Sequence, residues 1–135
     1  MIKKPLAIYN GEIKELQSGD WTGTIRLSHA WVIGGEIKVP SGSTDYIGGF
    51  FVDLPSGQSS KIVKARFKCY DGSITIKIVQ NTTDRVTDIS VSPAANSNDF
   101  TDFDLNDGDW IGILVTAVSS TPHVLQFTLY EDRTF

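Results

Sequence analysis

Cysteine is almost absent from this chain of 135 residues: Cys69 stands alone, which excludes an internal disulfide framework and a multi-cysteine zinc site. Long apolar runs are missing too. None approaches the ~20 residues of a membrane span, and Met1-Ile2-Lys3-Lys4 leads into Pro5 rather than into the apolar stretch of a signal peptide. Nor is there a surplus of positive charge, with 12 basic against 16 acidic residues and a net charge of −4. That balance argues against a general nucleic-acid binder, and no membrane partner is expected. Strong helix formers are scarce: Ala, Leu, Glu and Met number 19, against 36 for Ile, Val and Thr. With 12 glycines as punctuation, this bias towards β-branched residues predicts an all-β protein. The length holds one domain with an appended arm.

What is present divides in two. Residues 1–30 carry one hairpin cue, Asn10-Gly11 between the short apolar runs Leu6-Ala7-Ile8-Tyr9 and Glu12-Ile13-Lys14. A two-stranded element is marginal alone, so it should dock on something, and Lys3 and Lys4 fit an exposed N-terminal arm. Residues 31–135 are patterned densely. Trp31 to Val39, Tyr46 to Leu54 and Val63 to Tyr70 read as strands, and Ile74, Ile76 and Ile78 as the apolar face of the next. Val86 to Val91, Phe103 to Leu105, Trp110 to Val118 and Leu125 to Leu129 complete eight. Turn clusters between them predict an antiparallel two-sheet sandwich, a jelly roll, with a seven-stranded immunoglobulin-like sandwich as the alternative. Asp71-Gly72 reads as a two-residue hairpin turn, which would set Tyr70 against Ser73 and Arg66 against Lys77.

Catalytic chemistry finds little purchase. His29 and His123 lie in no nucleophile motif and read as surface or hinge residues, and Cys69 falls on an apolar strand face. Asp99, Asp102, Asp104, Asp107 and Asp109 crowd together, but Asp107 stands where a calcium-binding EF-hand loop needs glycine and Ile113 where it needs glutamate. Strand alternation and the turn at Asp107-Gly108 account for these aspartates better. No enzyme activity, metal or cofactor is expected. The hairpin pairing would gather Lys64, Arg66, Lys68 and Lys77 on one face of an acidic protein, either solvated or as a subunit or scaffold contact. Gly34-Gly35 and Gly48-Gly49 interrupt strands, which suits bulges or close backbone approach. Phe50-Phe51 and Ile113-Leu114-Val115 put apolar side chains on both strand faces, and burial in an oligomer would cover them.

The segment from Lys4-Pro5 through Asn10-Gly11-Glu12-Ile13 to Leu16 and Gly19-Asp20 resembles a short motif, K-P-x-x-x-x-N-G-x-I-x-x-L-x-x-G-D, of tailed-bacteriophage virion proteins. The remainder, with Gly35-Glu36-Ile37, Pro55-Ser56-Gly57-Gln58 and Asn106-Asp107-Gly108-Asp109, looks like the compact β domains of phage head-fibre, decoration and tail-fibre proteins. The resemblance implies a homotrimeric sandwich on the virion surface. Lys3, Lys4, Ile8, Tyr9, Asn10, Gly11 and Ile13 would attach it to the major capsid or another virion protein, and Phe50, Phe51 and the basic row would meet subunit or scaffold. With no repetitive shaft, a capsid decoration protein is the first expectation. The alternative is a tail-associated receptor-binding or carbohydrate-binding module, with Tyr46, Tyr70, Trp21 or Trp110 stacking on a host surface glycan unless packing claims them.

Overall fold

The computed structural model of the protein describes residues 6–9, 12–15, 23–40, 46–94 and 96–135. Two short strands come first, β1 (Leu6–Tyr9) and β2 (Glu12–Glu15). They pair antiparallel with Ile8 opposite Ile13 and Tyr9 opposite Glu12. Asn10 and Gly11, expected to make the turn, lie outside the described residues. Eight strands follow: β3 (Thr24–Glu36), β4 (Gly48–Phe51), β5 (Ser59–Tyr70), β6 (Ser73–Gln80), β7 (Thr83–Val91), β8 (Asn96–Leu105), β9 (Trp110–Ser119) and β10 (His123–Thr134). They form two antiparallel four-stranded sheets, ordered β3-β10-β5-β8 and β4-β9-β6-β7. This is the jelly-roll order, and the second four-stranded sheet sets aside the seven-stranded alternative.

Two expectations fail at the level of topology. The first is the hairpin at Asp71-Gly72. β5 and β6 lie in different sheets, so the chain crosses the sandwich there instead of turning back within a sheet. Arg66 stands between Thr128 and Ser97, while Lys77 lies opposite Leu114. The basic row therefore splits, with Lys77 on the far sheet. Alternation could not separate the two routes, because Cys69 and Ile74 turn inward in either. Asp71 and Gly72 take φ values of 58° and 59° at the crossing, and a Cβ on Gly72 would come within 2.2 Å of the Ser119 carbonyl oxygen. Glycine is required by that neighbour as well as by its own backbone.

The second is the boundary at residue 30, which falls inside β3. This strand pairs with β10 from Thr24 opposite Thr134 to Glu36 opposite His123, so the sandwich begins at residue 24. Its start is hard to see because Thr24, Arg26 and Ser28 face outward and His29 takes an inward place among Ile25, Leu27 and Trp31. Gly34-Gly35 does make an irregularity, since the register shifts between His123 and Leu125 opposite it and Gly35 has φ 79°. Gly48 serves close approach instead: a Cβ there would meet the Phe127 ring at 2.8 Å.

The core fills the space between the sheets. Ala65, Phe67, Cys69, Leu125, Phe127 and Leu129 project from one, and Ile74, Ile76, Ile78, Ile111, Ile113 and Val115 from the other, all nearly inaccessible to solvent. Each large side chain buried this way stabilises by roughly 1.5–3 kcal/mol relative to exposure.

Candidate functional site

Along β5 the same alternation that sends Ala65, Phe67 and Cys69 into the core sends Lys64, Arg66 and Lys68 out. Register then fixes their neighbours. On the β10 side Lys64 lies beside Tyr130, with Ser28 beyond, Arg66 beside Thr128 and Ala30, and Lys68 beside Gln126 and Val32; on the β8 side Asp99 stands opposite Lys64 and Ser97 opposite Arg66. Around Arg66 and Lys68 the neutral residues leave a solvent-facing trough of about 390 Å³ across β3, β10 and β5, with Arg66, Lys68, Gln126, Thr128, Ala30 and Val32 on its walls. Trp31, Phe67 and Phe127 line it from below. Among the described residues no carboxylate lines it.

The cations of this face are unlike the others. Arg26 forms a bidentate pair with Asp132, at 2.7 and 3.0 Å, and Arg133 holds Glu131 at 2.8 Å. Arg85 donates to Gln80. Lys38, Lys61 and Lys77 pair with Glu36, Asp102 and Asp84. Among the described residues, Lys64, Arg66 and Lys68 make no hydrogen bond or ion pair. Instead the ammonium groups of Lys64 and Lys68 each lie 5.0 Å from the centroid of a tyrosine ring, those of Tyr130 and Tyr70. Such contacts are worth ~0.5–1 kcal/mol at exposed sites and steer a long side chain without neutralising it. At one end of the face, the Asp132 carboxyl is held below the usual range, first by its hydrogen bond from Arg26, against a smaller effect of burial, and further by the charges of Lys61 and Lys64.

A second polar cluster lies on the inner side. Glu131 is fully buried at the β3, β10 and β5 junction. It accepts hydrogen bonds from Ser60 Oγ (2.5 Å) and Arg133 Nε (2.9 Å), and its Oε1 lies 2.8 Å from His29 Nε2. Burial raises its pKa, but the hydrogen bonds from His29, Ser60 and Arg133 outweigh that and bring it down to about 2. Serine, histidine and acid meet here in the wrong order for an activated nucleophile, because the carboxylate sits between the other two and the imidazole does not reach the serine. The imidazole also stacks on Phe50, with centroids 3.8 Å apart. His29 is thus a half-buried packing residue rather than the surface or hinge histidine expected, whereas His123 is exposed.

The remaining expected residues scatter. Phe50 turns inward against His29 and Trp31, while Phe51 is 77% exposed. Tyr46 and Trp110 pack edge to face on each other with centroids 4.4 Å apart, which occupies both, and Tyr70 carries Lys68. Trp21, Lys3 and Lys4 lie outside the described residues, as do the side chains of Ile8, Tyr9 and Ile13. Asp102 and Asp104 face solvent, as alternation implies, and Asp109 is buried, accepting from Gln80, Asn81 and the Asn106 backbone. Among the described residues no three His, Cys, Asp or Glu side chains come together to hold a metal ion. Gln126, Thr128 and Ala30 were not signalled by any motif. Only the pairing of β10 with β3 and β5 brings them to Arg66.

No protein-family model matches the chain, and no curated protein does. Among solved structures it is similar to a family 35 carbohydrate binding module from Clostridium thermocellum, with 16% identity, 79% of this chain and 97% of that chain covered, and a TM-score of 0.41.

Proposed function

We propose that the protein is a non-enzymatic binding module of a phage virion, which recognises a host surface glycan on the open face of its β3-β10-β5-β8 sheet. The observation that carries this reading is the trough between Ala30, Arg66, Gln126 and Thr128. It combines an open, rigid floor of paired strands with amide, hydroxyl and guanidinium groups free to bind sugar hydroxyls. The N-terminal hairpin, with Ile8 opposite Ile13, supplies the attachment element to a capsid or tail protein. Equilibrium binding to a panel of bacterial surface polysaccharides tests the reading. Saturable binding is expected, at least tenfold weaker in the double variant Gln126→Ala, Thr128→Ala. Binding that ignores both changes rules the trough out.

Phe51 favours a second reading, a trimeric capsid decoration protein. An exposed phenylalanine on β4, which pairs with β9 alone at the margin of its sheet, suits a subunit contact. Three copies presented together would also multiply weak attachment through the N-terminal arms. Light scattering decides it, because a monomeric mass removes the trimer.

A further inference from the structure

We infer that the β5 face selects a linear, carboxylate-bearing polysaccharide lying along β5, an inference that rests on the glycan reading above. Its basis is the distribution of unpaired charge. In a chain of net charge −4, the described arginines other than Arg66 are satisfied by Asp132, Glu131 or Gln80, and Lys38, Lys61 and Lys77 have acidic partners. Among the described residues Arg66 and Lys68 have no acidic partner in register, and Lys64, which stands opposite Asp99 without forming an ion pair, lies in line with them. Alternate residues of an extended strand lie roughly 7 Å apart, so these three residues are rungs in a row along β5, with Arg66 and Lys68 as successive cations that a polymer with regularly spaced anions can match. A compact ligand with one charge would use only one rung.

The chemistry around the middle rung points to a sugar acid. A guanidinium fork fits a planar carboxylate through two parallel hydrogen bonds. Thr128 stands beside Arg66, and Gln126 one rung along beside Lys68, as hydroxyl and amide partners for ring hydroxyls next to a carboxylate. A poly(glycerol phosphate) chain has hydroxyls but neither a planar carboxylate nor a sugar ring to set ring hydroxyls beside it. Nucleic acid is disfavoured by the chain's pI of about 5.0.

The full chain is titrated with polygalacturonate, a neutral β-glucan, poly(glycerol phosphate) and a single-stranded oligonucleotide. Polygalacturonate is expected to bind at least tenfold more tightly than the other three. Arg66→Gln should remove that preference, while Lys77→Gln, on the opposite sheet, should keep it. Salt at 1 M, where screening shortens to about 3 Å, should weaken the acidic polymer and leave the neutral one unchanged. Equal or tighter binding of the neutral glucan, with trough variants still weakening it, overturns the charge inference and leaves the glycan reading standing. Tighter binding of the phosphodiester polymer or the oligonucleotide, or an undiminished preference in Arg66→Gln, also overturns it. Failure to bind any of these polysaccharides, or any in the wider panel, overturns both.

Discussion

On the outer face of β3-β10-β5-β8, cations and small polar residues stand in open solvent. On the outer face of β4-β9-β6-β7, the Tyr46 and Trp110 rings close over Gly112, and its register neighbour Val79 is buried. Both sheets use the same alternation and the same core, yet around Gly112 one covers its outside with its own aromatic side chains, leaving Phe51 exposed beside them, and around Arg66 the other leaves it open. The covered face adds burial to the fold. The bare face contributes little to stability, which is the condition under which its residues can serve a ligand instead.

The sharpest way to break this contrast is to attack the bare sheet from inside, where its stability must lie. Replacing Glu131 with leucine strands Arg133, His29 and Ser60 without their acceptor, and a loss of about 3–5 kcal/mol is expected in urea denaturation. Because the folded-state pKa of Glu131 is lowered from 4.5 to about 2, its contribution is present above pH 4.5 and is lost as pH falls towards 2. The parent protein should therefore shed on the order of 3 kcal/mol more across that window than the leucine variant, in which Asp109 and Asp132 still titrate. Next in size is Gly112→Val on the covered face. A Cβ there would meet the Trp110 ring at 2.7 Å and the Tyr46 ring at 2.8 Å, so the lid must shift at a cost of about 1–3 kcal/mol, read as a lower urea midpoint. Smallest are Arg66→Gln and Lys68→Gln on the bare face, each expected within ~0.5 kcal/mol of the parent. A larger loss at Arg66 would show that this face serves the fold after all. Cys69 offers a control for all of them. Burial pushes its thiol up, and it should resist alkylation until urea unfolds the core.

Much of the fold is legible in the chain, because a strand with one buried face must alternate. Val63 to Tyr70 and Leu125 to Leu129 show this plainly, and the turn residues bound most strands. What alternation cannot encode is which sheet a strand joins. Cys69 and Ile74 face the core whether the chain turns back at Asp71-Gly72 or crosses over. A signal was nevertheless present: the hairpin pairing placed Arg66 opposite Lys77, a like-charge contact that sheets avoid, and the crossing removes it. The candidate site is less legible for a related reason. Lys64, Arg66 and Lys68 announce a basic edge on one strand, but Gln126, Thr128 and Ala30 become its neighbours only through pairings that span most of the sequence.

Those same pairings have a consequence for how the protein is made. β10 lies between β3 and β5, and Thr24 meets Thr134, 110 residues further along. At ribosomal rates of 5–20 residues per second, β3 waits roughly 5–20 s for its partner. Meanwhile β5 displays Phe67 and an unpaired edge to its surroundings. Among the described strands of the sandwich, only β6 and β7 can zip together as they leave the exit tunnel, since the other successive strands belong to opposite sheets. The nascent chain is thus exposed to chaperones and to its neighbours on the polysome until its final strand arrives. The β1-β2 hairpin, local by contrast, can close as soon as its own residues have emerged.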